Sequence, residues 1–222
     1  LAVIVRDGIR RMYQEGENIV YYITLYNEGY PMPAMPAGEA VQEGIVKGAY
    51  CWQPGRDEGE EIDLLASGSM MQQAREAAEM LRALGYAPAI WSVTSYVELA
   101  REAEACERLA RLNPTQPRRK PYVESLFEGS AGPVIAVTDY QRSLPASVAR
   151  WMPDSYTVLG TDGYGLSESR PDLRNHFEVS AGHIVHAALV ELYRQGRIGE
   201  QELREQTAPL GIDPDKRDPT TR

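Results

Sequence analysis

From Ile62 onward, short runs of β-branched and apolar residues alternate with longer runs that have the 3.6-residue period of an amphipathic helix. Strand-like runs cover residues 62–67, 87–94, 133–138 and 156–159, and helix-like runs cover residues 70–84, 95–112, 148–152, 182–195 and 198–210. Parallel strands need such crossovers, because consecutive strands must start at the same end of the sheet. The alternation therefore predicts an α/β fold with a mostly parallel sheet covered by helices on both faces.

Single residues locate two helix ends. Gly85 directly follows the helix-like run 70–84 and can adopt the positive φ of a C-terminal cap. Ser169 can accept a hydrogen bond from the first turn of a helix in which Pro171 takes the first position and Asp172 follows. Between the last strand and Ser169 lies a polar, glycine-containing loop, residues 160–168. A loop that leaves the carboxyl end of a strand is a common place for functional side chains in α/β proteins.

The first sixty residues have a different organisation. Residues 1–14 carry Leu1, Val5 and Ile9 on one stripe, which predicts an amphipathic helix. Residues 18–25 are almost continuously apolar or aromatic, as expected of a strand covered on both faces. The proline-rich stretch that follows predicts a crossing segment between two compact units, before a short helix at 39–47 and a strand at 48–53.

Composition excludes several classes of partner. A net charge of -9 argues against nucleic acid and against anionic membranes, since both require a basic face. No apolar run reaches the roughly 18 residues of a membrane helix, and the start of the chain lacks a signal-peptide pattern. Cys51 and Cys106 lie far apart without metal-ligand spacing, which favours a reducing cytoplasm. The chain starts without methionine, as if within a helix, so we expect it to be part of a longer polypeptide.

Five titratable residues are candidates for chemistry. His176, His183 and His186 fall within eleven residues, so they could form a metal cluster or make structural hydrogen bonds. Asp139 and Asp162 each follow a strand, so they could face one another across the carboxyl edge of the sheet or bind loop amides. The basic triplet at 118–120 is typical of a solvated loop.

The sequence Thr161-Asp162-Gly163 invites comparison with the G-D-G motif of a thiamine diphosphate and magnesium site. The comparison fails, because position 161 is threonine and residues 187–192 contain no asparagine. Dinucleotide-binding, Walker A and G-x-S-x-G motifs are also missing from the sequence. We therefore expect no cofactor site formed by this chain alone.

Four stretches together resemble a known enzyme family. They are YNEGYPMPAMP, WSVTSYVELAREAEACER, VTDY and VLGTDGYGLSESRPDLRNHFEV, in that order. Their sequences and their order along the chain closely resemble the carboxyl-terminal part of the homodimeric, bacterial-type pyruvate dehydrogenase E1 component. That protein is a thiamine diphosphate enzyme of the transketolase superfamily. The resemblance covers essentially the whole chain.

The resemblance implies a fold and a domain division. Residues 1–30 would be the last helix and strand of the pyrimidine-binding domain, and residues 31–44 a proline-rich linker. Residues 45–212 would form a transketolase C-terminal-like domain, a three-layer α/β/α unit with a mostly parallel five-stranded sheet. Residues 213–222 would be a polar tail, too polar to pack.

The resemblance also implies a function for the full-length chain. That enzyme decarboxylates pyruvate on thiamine diphosphate with Mg²⁺ and reductively acetylates the lipoyl group of the E2 dihydrolipoyl acetyltransferase. Its partners would be a second E1 subunit, the remaining E1 domains and E2, in the cytoplasm. This portion would be structural and dimerising, and inactive when isolated.

No catalytic residue is carried over, because the family's cofactor-binding parts match nothing in this sequence. The resemblance matches Tyr26-Asn27-Glu28 to a loop that supplies an arginine to sugar phosphates in transketolase. Tyrosine and asparagine stand there in this sequence, which fits an unphosphorylated small oxoacid, so we expect Asn27 and Glu28 near the active-site entrance. Two alternatives stay open: a stand-alone α/β interaction or regulatory module, and the E1 component of another 2-oxoacid dehydrogenase.

Overall fold

The structure, a computed structural model, describes residues 1–26, 29, 31–56 and 58–221. Its strands are β1 Ala49–Gln53, β2 Glu61–Ala66, β3 Ala87–Val93, β4 Val134–Val137 and β5 Tyr156–Leu159. Its helices are α1 Ala2–Ile9, α2 Glu39–Lys47, α3 Met71–Ala83, α4 Tyr96–Leu112, α5 Tyr122–Leu126, α6 Ser143–Ala146, α7 Arg170–His176, α8 Ala181–Arg194 and α9 Glu200–Thr207.

The five strands form one sheet in the order β1-β3-β2-β4-β5. Strands β2 to β5 pair in parallel, and β1 pairs antiparallel with the edge of β3. In the central strand, Leu64 lies opposite Ile90 on one side and Ile135 on the other. The strand and helix alternation thus predicted the sheet and its mostly parallel character correctly.

Two hydrophobic cores lie on opposite faces of the sheet. Leu64 belongs to the core beneath α3 and α8, where it joins Leu81 and Leu189. The next residue, Leu65, belongs to the core beneath α4 and α5, where it joins Leu99. Successive side chains of a strand point to opposite faces, so adjacent leucines supply both cores. The result is the expected three-layer α/β/α arrangement. No helix in the described part of the chain is long and apolar enough to cross a membrane.

Both predicted helix ends are present. Gly85 has φ +92, its N–H donates to the Arg82 carbonyl, and the Tyr86 N–H donates to the Leu81 carbonyl, which together close α3. At the start of α7, the Ser169 hydroxyl accepts a hydrogen bond from the Asp172 N–H. Helix α7 begins at Arg170, so Pro171 is its second residue and the prediction of the first position is off by one.

The predicted strand at residues 18–25 is wrong. This segment pairs with no strand, and Val20 and Tyr22 are about nine-tenths exposed. The apolar pattern is typical of a strand between two neighbours, but a ladder forms only where partner strands accept and donate its backbone hydrogen bonds. The described sheet has no partner strand next to this segment. The helix before it is confirmed, since α1 continues through a wider π-helical turn at Arg10–Gln14.

Two expectations near the carboxyl end also need correction. The predicted helix at 148–152 is instead helix α6 followed by a single 3₁₀ turn at Ala149–Trp151. Pro153 disfavours helical backbone at the residue before it, which limits the length of this segment.

The tail was expected to be too polar to pack, yet Lys216 donates to the carbonyls of Asn175 and His176 at the end of α7. A lysine suits these groups, because helix C-termini leave their carbonyls unpaired.

The expected domain boundary between residues 44 and 45 falls inside a helix. Helix α2 runs continuously from Glu39 to Lys47 and leads through Gly48 into β1. Because α2 leads directly into β1, the folded unit begins before residue 45. The rest of the division, including the boundary at 30/31, stays a prediction.

A buried carboxylate in β2 gives the first testable prediction. Asp63 accepts hydrogen bonds from the Trp91 indole at 2.7 Å and from Ser130 at 2.6 Å, and its burial raises the pKa of the carboxyl group. We expect Asp63→Ala to lower the free energy of unfolding by about 1–3 kcal/mol, because the indole N–H loses its acceptor. Asp63→Asn keeps both hydrogen bonds and should cost less. Urea denaturation at pH 7 measures both variants, and equal losses would contradict this assignment.

Candidate functional site

The reversal of strand order creates a crevice at the carboxyl edge of the sheet. From β2 the chain moves outward to β3, whereas from β4 it moves in the other direction to β5. The loops after β2 and β4 therefore diverge, and ligands of open α/β sheets usually bind in the gap between such loops. We call this gap the switch-point crevice. Its polar residues are Ser67 and Ser69 after β2, and Thr138 and Asp139 after β4.

The floor of the crevice is a pair of hydroxyl groups. Ser67 Oγ and Thr138 Oγ1 lie 2.9 Å apart, so one hydroxyl donates to the other across the two strand ends. Thr138 is fully buried, and its Oγ1 also accepts a hydrogen bond from the Tyr140 N–H at 3.2 Å. These contacts tie the two diverging loops together.

Asp139 is the centre of the crevice. Its Oδ2 accepts a hydrogen bond from the Ser69 hydroxyl at 2.9 Å. The Tyr26 phenol lies 2.9 Å from Oδ1 and 2.7 Å from Oδ2 of the same carboxylate. Burial of Tyr26, and next its hydrogen bond to Asp139, raise the pKa of the phenol, so it stays a neutral donor. The Thr161 hydroxyl donates to the Asp139 backbone carbonyl at 2.8 Å and holds the loop from the β5 side.

Asp162 lies beside the crevice and binds other groups. It accepts hydrogen bonds from the Arg142 backbone N–H at 2.8 Å and from Arg142 Nε at 2.6 Å. Burial alone would raise the pKa of Asp162, but the Arg142 hydrogen bonds outweigh it and lower the pKa. The carboxylates of Asp139 and Asp162 thus have different partners. Asp162 binds a loop amide, which is the second of the two alternatives that the sequence left open.

Two of the three histidines make contacts with neighbouring protein side chains. His183 Nδ1 lies 2.8 Å from the Ser180 hydroxyl, and the His176 ring packs edge-on against Phe177 with centroids 4.8 Å apart. Among the residues that the structure describes, no group of three or more His, Cys, Asp or Glu side chains could hold a metal ion. The arrangement favours structural histidines.

The basic triplet is held by acidic side chains on the surface. Arg118 bonds to Glu107 at 2.7 Å and to Glu124 at 2.8 Å. Arg119 pairs with Glu102 and Lys120 pairs with Glu128. The triplet is an exposed loop, as predicted, but ion pairs fix its side chains.

The predicted entrance residues Asn27 and Glu28 lie outside the described residues, so their expected role stays a prediction. The sequence analysis placed Tyr26 in the same loop as Asn27 and Glu28 but not among the candidate residues, and it gave no role to Ser69. The Tyr26 to Asp139 contact spans 113 residues of sequence. Tyr26 directly precedes a polar, proline-rich stretch, and nothing in the neighbouring sequence indicates a contact with a residue so far along the chain. The position of Asp139 after a strand was the available signal for the crevice.

Comparison with known families assigns two parts of the chain. Residues 48–180 match the transketolase-like TK C-terminal domain. Residues 1–33 match the middle domain of the pyruvate dehydrogenase E1 component. Tyr26 lies in the segment that matches the E1 middle domain, and Asp139 lies in the segment that matches the transketolase C-terminal domain. Their contact therefore joins the two segments.

Curated relatives agree with both assignments. The chain is 45% identical to the pyruvate dehydrogenase E1 component of Pseudomonas aeruginosa, over 99% of this chain and 25% of that protein. It is 44% identical to the E1 component of Escherichia coli K12, with the same coverage. Among solved structures, a transketolase from Pichia stipitis matches 74% of this chain and 21% of its own, at 17% identity and a TM-score of 0.49. The chain thus spans about a quarter of the length of the curated relatives, and the resemblance to E1 components is confirmed.

The described residues do not fit a complete thiamine diphosphate and Mg²⁺ site. Mg²⁺ requires oxygen ligands in near-octahedral geometry. Asp162, in the loop compared with the G-D-G motif, is instead bound by the Arg142 backbone and side chain. Asp139 is bound by the Tyr26 and Ser69 hydroxyls. We therefore derive no catalytic step for this chain from the cofactor.

The histidines of α8 give a prediction about pH. Burial lowers the pKa of His183 and of His186, and Lys216 lowers the His183 value further while Glu178 opposes it. An unfolded histidine titrates near about 6.5, so just below that pH the unfolded chain binds more protons than the folded one. Stability should therefore fall as the pH drops from 7.5 to 5.5, by at most about 1.4 kcal/mol per pH unit for each histidine.

Denaturation of the double variant His183→Asn and His186→Gln, measured at pH 7.5 and 5.5, checks this expectation. Asparagine places a polar atom where His183 Nδ1 lies and can keep the hydrogen bond to Ser180, and neither amide takes up a proton. The variant should lose less stability than the parent chain over this interval. An unchanged difference between the two pH values would assign the acid sensitivity to other groups.

Proposed function

The chain belongs to the family of transketolase-like C-terminal domains, and we propose that it forms the carboxyl-terminal portion of a pyruvate dehydrogenase E1 component. The observation that supports this most strongly is the 45% identity that extends over 99% of the chain. The matches to the E1 middle domain and to the transketolase C-terminal domain also follow one another in this order. A likeness of the C-terminal domain alone would leave the first 33 residues without a match.

In the proposed role, the whole protein decarboxylates pyruvate with thiamine diphosphate and Mg²⁺. It then passes the two-carbon unit to the lipoyl group of an E2 acyltransferase subunit. Oxidation of the two-carbon unit and reduction of the lipoyl disulfide occur together, so no external oxidant is needed. This chain contributes structure and dimer contacts and is inactive alone, because its residues do not assemble the cofactor site.

Exposed apolar side chains in the amino-terminal segment support the dependence on other domains or subunits. Leu1, Val20 and Tyr22 are 64%, 90% and 91% exposed, and Leu25 and Met32 are 71% and 87% exposed. Large exposed apolar patches usually mark interaction surfaces. In the proposed E1 dimer, the remaining E1 domains and the second subunit would cover this surface.

Activity measurements on the natural polypeptide that carries this sequence test the proposal. With thiamine diphosphate and Mg²⁺, it should decarboxylate pyruvate and reductively acetylate lipoylated E2, while the 222-residue chain should do neither. Preference for 2-oxoglutarate would identify the E1 component of another 2-oxoacid dehydrogenase. Inactivity with both oxoacids would favour an interaction or regulatory module and would overturn the proposal.

The entrance role proposed for Asn27 and Glu28 is tested separately in the same polypeptide. Asn27→Ala and Glu28→Ala should each slow reductive acetylation of lipoylated E2 by roughly tenfold, as expected for the loss of groups that position a substrate. Tyr193→Phe, a change on a partly exposed side chain of α8, serves as the control because it lies outside this segment. Unchanged acetylation kinetics in both alanine variants would remove these residues from the entrance.

A further inference from the structure

The contact between Tyr26 and Asp139 joins the two segments that match different E1 domains. We propose that the Tyr26–Asp139 clasp, formed by the Tyr26 phenol, the Asp139 carboxylate and the Ser69 hydroxyl, is a positioning contact for the E1 reaction. Through it, the C-terminal sheet holds the end of the middle-domain segment, residues 22–26, in a fixed place. This inference rests on the proposed function, but its structural part can be tested without any activity.

The hydrogen bonds of the clasp are charge-assisted. The phenol lies within 2.9 Å of both carboxylate oxygens, and the Ser69 hydroxyl donates to one of them. Hydrogen bonds to an ionised acceptor are about twice as strong as neutral ones. Ser69 is buried, and Thr161 holds the Asp139 backbone, so the acceptor is preorganised before Tyr26 arrives.

The shape of the crevice also fits Tyr26. Gly68 has φ +53, and a Cβ atom added there would lie 2.8 Å from Cε2 and Cζ of the tyrosine ring. A side chain at position 68 would therefore displace the ring. The hydrogen-bonding groups of Ser69 and Asp139 and the absence of a side chain at Gly68 are independent features of the β2 and β4 loops. Both accommodate the same tyrosine.

Apolar packing contributes little to holding the segment. Its residues Val20, Tyr22 and Leu25 are mostly exposed, whereas Tyr26 is 42% exposed. Gln72 of α3 gives additional support by donating to the Pro31 carbonyl at 3.2 Å. Tyr21 is held at α1, where its phenol donates to Asp7 and accepts a hydrogen bond from Arg11 at 3.2 Å. Beyond Tyr21, the position of residues 22–26 on the C-terminal sheet depends largely on the clasp.

Hydrogen exchange of the natural polypeptide tests the structural part. The Tyr26 phenol oxygen accepts a hydrogen bond from the Ser69 backbone N–H. Tyr26→Phe removes only that oxygen and should accelerate exchange of the Ser69 amide by roughly tenfold, the loss expected for one such hydrogen bond. The matched control is Tyr193→Phe, the same change on an α8 side chain that is 41% exposed, and its exchange should equal that of the parent. Unchanged exchange in Tyr26→Phe would overturn the clasp.

A double-mutant cycle tests whether the two residues act together. Tyr26→Phe and Asp139→Asn should each accelerate exchange, and the double variant should exchange little faster than either single variant, because both changes break the same contact. Gly68→Ala should reproduce the effect without altering any polar group. Fully additive effects of Tyr26→Phe and Asp139→Asn would show that the residues act separately and would overturn the proposal.

Steady-state kinetics of the full-length polypeptide with pyruvate test the positioning role. Misplacement of groups around a reacting substrate lowers turnover, so Tyr26→Phe should reduce kcat by roughly tenfold with KM changed less than about twofold. Tyr193→Phe should leave both constants unchanged. Faster exchange with unaltered kcat would overturn the positioning role. If the parent polypeptide turns over no 2-oxoacid, the proposed function fails, while the exchange measurements still decide whether the clasp exists.

Discussion

The pairing of β2 between β3 and β4 is the constraint on which the rest of the structure depends. The strand is hydrogen-bonded on both edges, and Leu64 and Leu65 supply the two cores on its opposite faces. Helices α3 and α8 cover one face, and α4 and α5 cover the other. A strand enclosed in this way fixes the sheet register, because a shift of one residue would exchange the residues that face each core.

The position of β2 also creates the crevice. The chain leaves β2 and β4 in opposite directions, so their carboxyl ends stay uncovered by a crossover and must satisfy their polar groups locally. Ser67 and Thr138 do so through each other, and Asp139 does so through Ser69 and Tyr26. A place where many α/β proteins bind a ligand is therefore occupied here by a side chain of the same protein.

Sequence reasoning succeeded where the determining contacts are local. Ser169 and Gly85 mark helix ends because capping involves only the next few backbone groups. It failed for residues 18–25, where the strand-like composition was correct but the partner strands that would pair with it are missing from the described sheet. It also failed for the tail, because polarity excludes burial in a core but not hydrogen bonding to the end of α7 by Lys216.

The sequence by itself determined the α/β class, the order of the strands from β2 onward, and the family, since periodicity and extended motifs are local properties of the chain. It gave no signal for helix α5 and misplaced α6. Only the tertiary structure decided which loops meet. Tyr26 and Asp139 are 113 positions apart, and Ser69 and Asp139 are 70 apart. Such contacts follow from strand order, which depends on the packing of the whole sheet and leaves no local pattern at either residue.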